Sequence, residues 1–303
     1  MTRHIKTITE FHQFRGLPKP EHHLISVIDI ETVLHWHADE PMNLALDFYV
    51  IALKRVFSQG QVTYGQGQYY YDDGIMSFMS PNQVFSISKE KNSALKQSGW
   101  VLLVHPDFLW NTALANKMNQ FEYFEYSANE ALKLSEKEEK TIIGIIENIQ
   151  QEYNSNIDNF SQDIIIAYLE TLLSYADRFY HRQFLTHKKV NHQILDQFEK
   201  VLVDYFKGIE VVHKGLPTVQ YVSDTLNVSV SYLSRLLKTF TGQSTQQHIH
   251  DKLIEKAKEK LSTTNLSVSE IAYELGFEHP QSFSKLFKTK TKVSPLEFRQ
   301  SFN

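Results

Sequence analysis

Cysteine is absent from this chain of 303 residues. That excludes disulfides, thiolate metal sites and cysteine nucleophiles, and it fits a reducing, cytoplasmic setting. No apolar run approaches the ~18 residues that a membrane span requires. The N-terminus has no apolar stretch of the signal-peptide kind. Catalytic signatures are equally scarce: there is no Gly-rich phosphate loop, no Gly-x-Ser-x-Gly elbow and no His-Glu-x-x-His pair. The sequence therefore predicts a non-enzyme with no catalytic residue and no cofactor. A basic surplus is missing as well, since the formal net charge is −4.

The charge is unevenly spread. Residues 191–303 hold 14 Lys and Arg against 12 Asp and Glu, the remainder holds 17 against 23, and from Ser229 onward the balance is 11 against 7. Positive charge thus gathers towards the C-terminus, in a modest excess. With 42% hydrophobic and 22% charged residues, the composition is that of a globular protein long enough for two domains.

The most informative stretch is Ser267–Arg299. Ser267-x-x-Glu270 is a capping box, in which each side chain satisfies a free amide at the start of a helix. Val268, Ile271, Ala272 and Leu275 share one face of that helix. Gly276 admits a positive φ and hence a sharp corner, and Phe277 plugs it. Pro280 suits the first turn of the next helix, where a missing amide costs nothing. There Phe283, Leu286 and Phe287 point one way, while Gln281, Ser282, Ser284, Lys285 and Lys288 point the other. Ser294-Pro295-x-Glu297 opens a third helix with another capping box. Two short helices about a glycine corner, the second with a polar and basic face, predict a helix-turn-helix over about 267–290.

The same pattern appears earlier, over about 218–241. Val219, Val222, Ser223, Leu226 and Asn227 correspond to Val268, Ile271, Ala272, Leu275 and Gly276, and Leu233–Lys238 corresponds to Phe283–Lys288. Asn227 takes the corner because Asn tolerates the left-handed region. Between the copies, Ile249, Leu253, Ala257 and Leu261 predict one uninterrupted helix over Thr245–Leu261. A rigid rod would then hold two recognition helices about one DNA turn apart (~34 Å).

In the first recognition helix Leu233, Leu236 and Leu237 are core positions, which leaves Ser231, Ser234, Arg235 and Lys238 for DNA. The planar fork of Arg235 can take guanine O6 and N7 together. In the second, Gln281, Ser282 and Lys285 are the base-contact candidates and Lys288 the phosphate contact.

The segment from about Leu195 onward resembles the DNA-binding domain of AraC/XylS-type transcription regulators. The likeness rests on the duplicated motif, on Ala257-x-x-x-Leu261, on Ile271-Ala272-x-x-x-Gly276-Phe277, on Phe283-x-x-x-Phe287-Lys288, and on Ser294-Pro295-x-x-Phe298-Arg299. It implies a sequence-specific, DNA-binding regulator, more often an activator, with double-stranded DNA as its partner. It also implies a homodimer, contact with RNA polymerase, and a cupin-like N-terminal domain that senses a small-molecule effector.

With the rest of the chain the sequence predicts an α+β, multidomain protein. Residues 1–23 show no period and read as an arm. From 24 to about 109, short strands rich in Val, Ile, Phe and Tyr alternate with turns: 23–30, 47–57, 61–71, 75–79, 83–88 and 99–104. Such spacing suggests a β-barrel or double-sheet jelly roll. From about 106 the pattern becomes helical, with a capping box at Ser135 and Glu138 and helices near 135–149 and 161–184; 24–184 reads as one domain, for which the resemblance implies sensing and dimerisation. Residues 185–192 read as a linker and 193–303 as the DNA-binding domain.

Phe48, Tyr49, Tyr69, Tyr71, Phe78 and Trp100 are candidates for lining an effector pocket, although alternating aromatics also make plain core. His35-Trp36-His37-Ala38-Asp39-Glu40 resembles the start of a metal-cupin ligand set. It keeps open the alternative of a metal-dependent cupin-type enzyme fused to a DNA-binding module. The region Ser80–Phe85, where a further ligand would stand, has no His, so no metal site is assigned.

Overall fold

The computed structural model of the chain describes residues 2–32, 42–57, 62–64, 67–69, 74–87, 96–126, 130–155, 160–186, 188–208 and 210–301. It divides into two compact units, residues 1–186 and 187–303.

The first unit opens with β1 (Thr2–Ile5) and α1 (Ile8–Arg15). This corrects the reading of 1–23 as an irregular arm. The signal was local: the Glu10 amide donates to Thr7 Oγ1 at 3.1 Å and the Thr7 amide donates to Glu10 Oε2 at 3.3 Å, a capping box like those recognised elsewhere. Gly16, at φ 64°, closes the helix. Ile5 and Ile8 are buried, and this tertiary burial stabilises a helix too short to persist alone.

Beneath α1 lies a buried imidazole. His12 places Nδ1 against the Pro18 carbonyl and Nε2 at 2.9 Å from Ser26 Oγ. Burial lowers its pKa, and the Pro18 bond offsets this only in part. The folded state therefore prefers neutral imidazole, and the unfolded chain binds the proton more tightly. This contribution to stability is complete above the ordinary histidine range, about pH 6.5, and is lost as pH falls through the lowered folded pKa. Urea denaturation between pH 8 and 5 should show the loss, and His12→Gln should flatten it. Burial lowers the pKa of His22 as well, so a residual slope of the same sign should persist.

The remaining elements of the first unit are β2 (Ile25–Asp29), β3 (Met42–Leu46), β4 (Tyr49–Phe57), β5 (Val62–Tyr64), β6 (Gly67–Tyr69), β7 (Gly74–Met79), β8 (Val84–Ile87), β9 (Lys96–Val104), α2 (Ala113–Lys117), β10 (Leu132–Leu134), α3 (Glu136–Tyr153) and α4 (Ser161–Thr186). Five strands make an antiparallel sheet in the order β10-β7-β4-β9-β2. A second sheet runs β1-β3-β8, with β1 parallel to β3, and β5 and β6 form a separate hairpin. Among the described residues no sheet closes on itself, so of the expected barrel or double-sheet jelly roll the pairings do not make the barrel; two separate sheets are present. Strands β1, β3 and β10 are not among the expected ones; the first two, with β8, form the sheet that covers one face of the larger one.

Strand alternation sorts the two faces of the five-stranded sheet. Ile28, Val50, Val101 and Leu103 meet Ile5, Leu44 and Leu46 of the smaller sheet, with Ile8 and Phe48 in the same core. On the other face Phe78, paired across from Ile51, packs on Tyr123, Phe124 and Tyr180. The unit is layered: small sheet, large sheet, then helices α3 and α4, which pack on each other. The capping box predicted at Ser135 and Glu138 opens α3.

The expected linker at 185–192 is helical at every described residue: α4 continues to Thr186, and α5 (Lys188–Lys207) begins two residues later. No Pro or Gly interrupts 181–193, so nothing local ends a helix there. The second unit continues with α6 (Glu210–Lys214), α7 (Val219–Leu226), α8 (Val230–Thr241), α9 (Thr245–Thr263), α10 (Val268–Glu274), α11 (Pro280–Thr291) and α12 (Pro295–Gln300). No helix among the described residues is long and apolar enough to cross a membrane.

Candidate nucleic-acid interface

Each half of the duplicated motif folds by the local chemistry read from the sequence. In the first, Thr218 Oγ1 accepts the Tyr221 amide at 3.0 Å and starts α7, and Asn227 turns the corner at φ 55°, ψ 45°. Ser229 Oγ then accepts the Tyr232 amide at 3.1 Å and starts α8. In the second, the Ser267–Glu270 capping box starts α10, Gly276 turns at φ 81°, and Pro280 stands in the first turn of α11. Ser294 and Glu297 cap α12 in the same reciprocal way.

Two apolar clusters hold the halves. Leu233, Leu237 and Val222 of the first pack with Ile249, Phe198 and Leu202. Ile271, Ala272, Leu275, Phe283 and Phe287 of the second pack with Leu253, Ile254, Ala257 and Leu261, and with Tyr205, Phe206 and Val211. Helix α9 therefore runs through both clusters, as expected of the connector. Its 19 residues span about 28 Å at the usual helical rise.

Helix α5 does the same, with Phe198 and Leu202 in one cluster and Tyr205 and Phe206 in the other. That α5 is a second brace was not expected from the sequence. The signal was present: positions 198, 202, 205 and 206 follow a helical stripe. Two helices bridging both halves resist relative rotation better than one.

Residues 222–301 match a family model described as "Helix-turn-helix domain". The C-terminal unit carries an AraC/XylS-type helix-turn-helix domain. A raffinose operon transcriptional regulatory protein of Pediococcus pentosaceus is 39% identical over 84 residues, which cover 28% of this chain and 30% of the relative. The lactose operon transcription activator of Staphylococcus xylosus is 27% identical over 165 residues, covering 54% of this chain and 56% of the relative. The chain thus spans less than two thirds of the length of either relative. Among solved structures, the C-terminal domain of the response regulator AraT from Geobacillus stearothermophilus is 31% identical, with a TM-score of 0.32; the match covers 36% of this chain and 84% of that one.

Within this AraC/XylS-type domain the candidate DNA contacts differ in their freedom. On α11, Gln281, Ser282, Lys285 and Lys288 are all exposed. On α8, Ser231, Ser234 and Arg235 are half-buried and Lys238 is exposed. Ser234 Oγ lies 3.4 Å from Thr245 Oγ1, and Lys238 Nζ donates to the Gly242 carbonyl at 2.9 Å, just past the end of its helix. Both side chains already have a use inside the domain, a contact the sequence could not show. Lys290, a cation the sequence reading did not single out, is ion-paired to Asp251 at 2.7 Å.

The aromatic positions expected to line an effector pocket fall in two places: Phe48 lies between the sheets, whereas Tyr49 and Phe78 both pack on Phe124. Phe48 is buried in the core between the two sheets, and Phe78 is buried against Tyr123 and Phe124. Tyr49 is half-buried with its ring 5.2 Å from that of Phe124. Trp100 is half-exposed on β9, opposite Leu53. Only the backbone of Tyr69, in β6, is described, and Tyr71 lies outside the described residues. The His35–Glu40 run also lies outside them. Among the described residues, no group of three or more His, Asp or Glu is arranged to hold a metal ion.

Proposed function

We propose that the whole chain is a sequence-specific transcription regulator that binds double-stranded DNA through α8 and α11. One observation carries this reading: two helix-turn-helix corners share the single rod α9, and each offers a second helix with a polar and basic face. The ~28 Å rod and the ~34 Å turn of duplex DNA are commensurate, so one chain can address neighbouring major grooves. Ser231, Ser234, Arg235, Gln281, Ser282 and Lys285 face bases, and Lys238 and Lys288 face phosphates. The C-terminal charge excess is small, so the sequence-independent attraction is modest and base contacts carry much of the affinity.

The same proposal gives the first unit a sensing role. Its two facing sheets and helical layer form a cupin-like module in which a small-molecule effector biases how two copies pair through their helices. That pairing then sets which half-sites the homodimer can reach and whether it meets RNA polymerase. Any such switch requires the effector to bind one arrangement more tightly than the other.

The test is selection of bound DNA from a random pool, followed by gel-shift titration on the selected site. Arg235→Ala and Lys285→Ala should each weaken specific binding by about 1–3 kcal/mol and relax the preference at one position. Wild-type-like binding by both variants would remove these residues from the interface. The absence of any selected sequence would sink the regulator reading.

A further inference from the structure

We propose that Asp251 is a positioning residue that sets the angle between the two recognition helices, and so the DNA geometry the domain accepts. This rests on the regulator reading above. Asp251 sits on α9, and its two carboxylate oxygens serve different halves of the motif. Oδ2 accepts from Gln243 Nε2 at 3.1 Å, just beyond the C-terminal end of α8. Oδ1 accepts from Lys290 Nζ at 2.7 Å, in the last turn of α11. The C-terminal ends of both recognition helices are thereby tied to one side chain.

The surrounding bonds show why this point matters. Towards its start α9 is tied to the first half: Thr245 to Ser234, and His248 to Thr241 at 2.8 Å. Towards its end it is tied to the second half: Lys260 to Glu274 at 2.6 Å, and the Leu261 carbonyl to Arg299 at 3.1 Å. Asp251 lies between these sets and belongs to both. The apolar clusters fix which helices touch, but apolar packing is non-directional. Hydrogen bonds from one planar carboxylate add the direction.

The chemistry at position 251 is specific. A carboxylate can accept from two donors at once, whereas alanine can accept from neither. Asparagine has one acceptor oxygen and one donor nitrogen, and Gln243 can turn its amide to accept from that nitrogen while Lys290 keeps the oxygen. Asp251→Asn therefore removes the charge and keeps the bridge, and Asp251→Ala removes both.

This separates positioning from simple charge. Deleting an acidic group from a DNA-binding surface should tighten binding if charge alone matters. If the bridge orients the helices, Asp251→Ala should instead weaken it, because occupying the second groove is an intramolecular step governed by effective concentration. The expected results on the pool-selected site are roughly ten-fold weaker binding for Asp251→Ala and unchanged or tighter binding for Asp251→Asn. On the same DNA with the bases under one recognition helix scrambled, the two variants should bind alike.

A second readout does not involve DNA. The chain has no cysteine, so spin labels on Asp224→Cys and Ser269→Cys report one distance between α7 and α10. That distribution should broaden in Asp251→Ala and stay narrow in Asp251→Asn. The bridge is overturned if wild type is sequence-specific yet Asp251→Ala binds as tightly, if Asn behaves like Ala, or if the distance distribution does not respond. A wild-type chain without sequence preference overturns the regulator reading itself, and this proposal with it.

Discussion

Gly276→Ala is expected to destabilise the second helix-turn-helix by about 3–4 kcal/mol and to abolish two-groove DNA binding. Two costs add. The residue sits at φ 81°, where any side chain meets its own backbone, a penalty of about 1–2 kcal/mol. A methyl group there would also stand 2.4 Å from the Val211 carbonyl oxygen and 2.9 Å from the Gly215 backbone. Those are main-chain atoms in the first turn of α6 and in the turn after it, so no side-chain rotation relieves the clash. Tyr205 helps to hold that turn, donating from its hydroxyl to the Gly215 carbonyl at 3.0 Å. The first copy makes the contrast. Asn227 turns the same corner at φ 55° and is exposed, so Asn227→Gly should change stability by only a few tenths of a kcal/mol. Urea denaturation of the full chain measures both. A loss below about 1 kcal/mol for Gly276→Ala would show that α6 yields, and that the close approach is incidental.

That pair of corners also shows what was legible in advance. Capping boxes, corner residues and helical stripes involve neighbours in sequence, so the two motifs, the rod α9 and the opening of α3 could be read directly. The Thr7–Glu10 box is just as local, but residues 1–23 show no longer period to mark a helix after it. What depended on distant partners was not legible. Nothing near Asp251 announces that it would meet both Gln243 and Lys290. The pairing of β1 with β3 joins residues about forty apart, so the strand in the expected arm and the sheet it enters could not be read locally. Phe48 and Phe78, two of the aromatic candidates for a pocket, are buried, and sheet alternation alone does not say whether a cavity or a packed layer faces a ring. Glu139 is an intermediate case. It falls one turn before Ile142 and two before Ile146, on the buried stripe of α3. A carboxylate there demands a partner, although its identity could not be read.

The partner is Arg55, and Arg55→Ala is expected to destabilise the first unit by about 3–5 kcal/mol. Arg55, on β4, reaches α3 with both Nε and Nη2 and holds the two oxygens of Glu139 in a bidentate pair. The Glu139 side chain is only 3% exposed. It lies directly on Gly74 of β7, where even a methyl group would come within 2.7 Å of the carboxyl carbon. Removing the guanidinium would leave the Glu139 carboxylate, on the buried stripe of α3, without its counter-charge.

The neighbouring acid acts in the opposite direction. Glu138 pairs with Arg182 of α4 at 2.7 Å, so consecutive carboxylates pin the start of α3 to the sheet on one side and to α4 on the other. Arg55→Lys should recover part of the loss, since an ammonium offers one point of contact where the guanidinium offers a fork. The decisive variant is the double replacement Arg55→Met with Glu139→Met. If the cost lies in the orphaned charge, the unbranched apolar pair should restore most of the stability, because a buried ion pair contributes little beyond a well-packed apolar one. If the double variant unfolds at the same urea concentration as Arg55→Ala, the pair acts through its shape instead, and the electrostatic account of this contact fails.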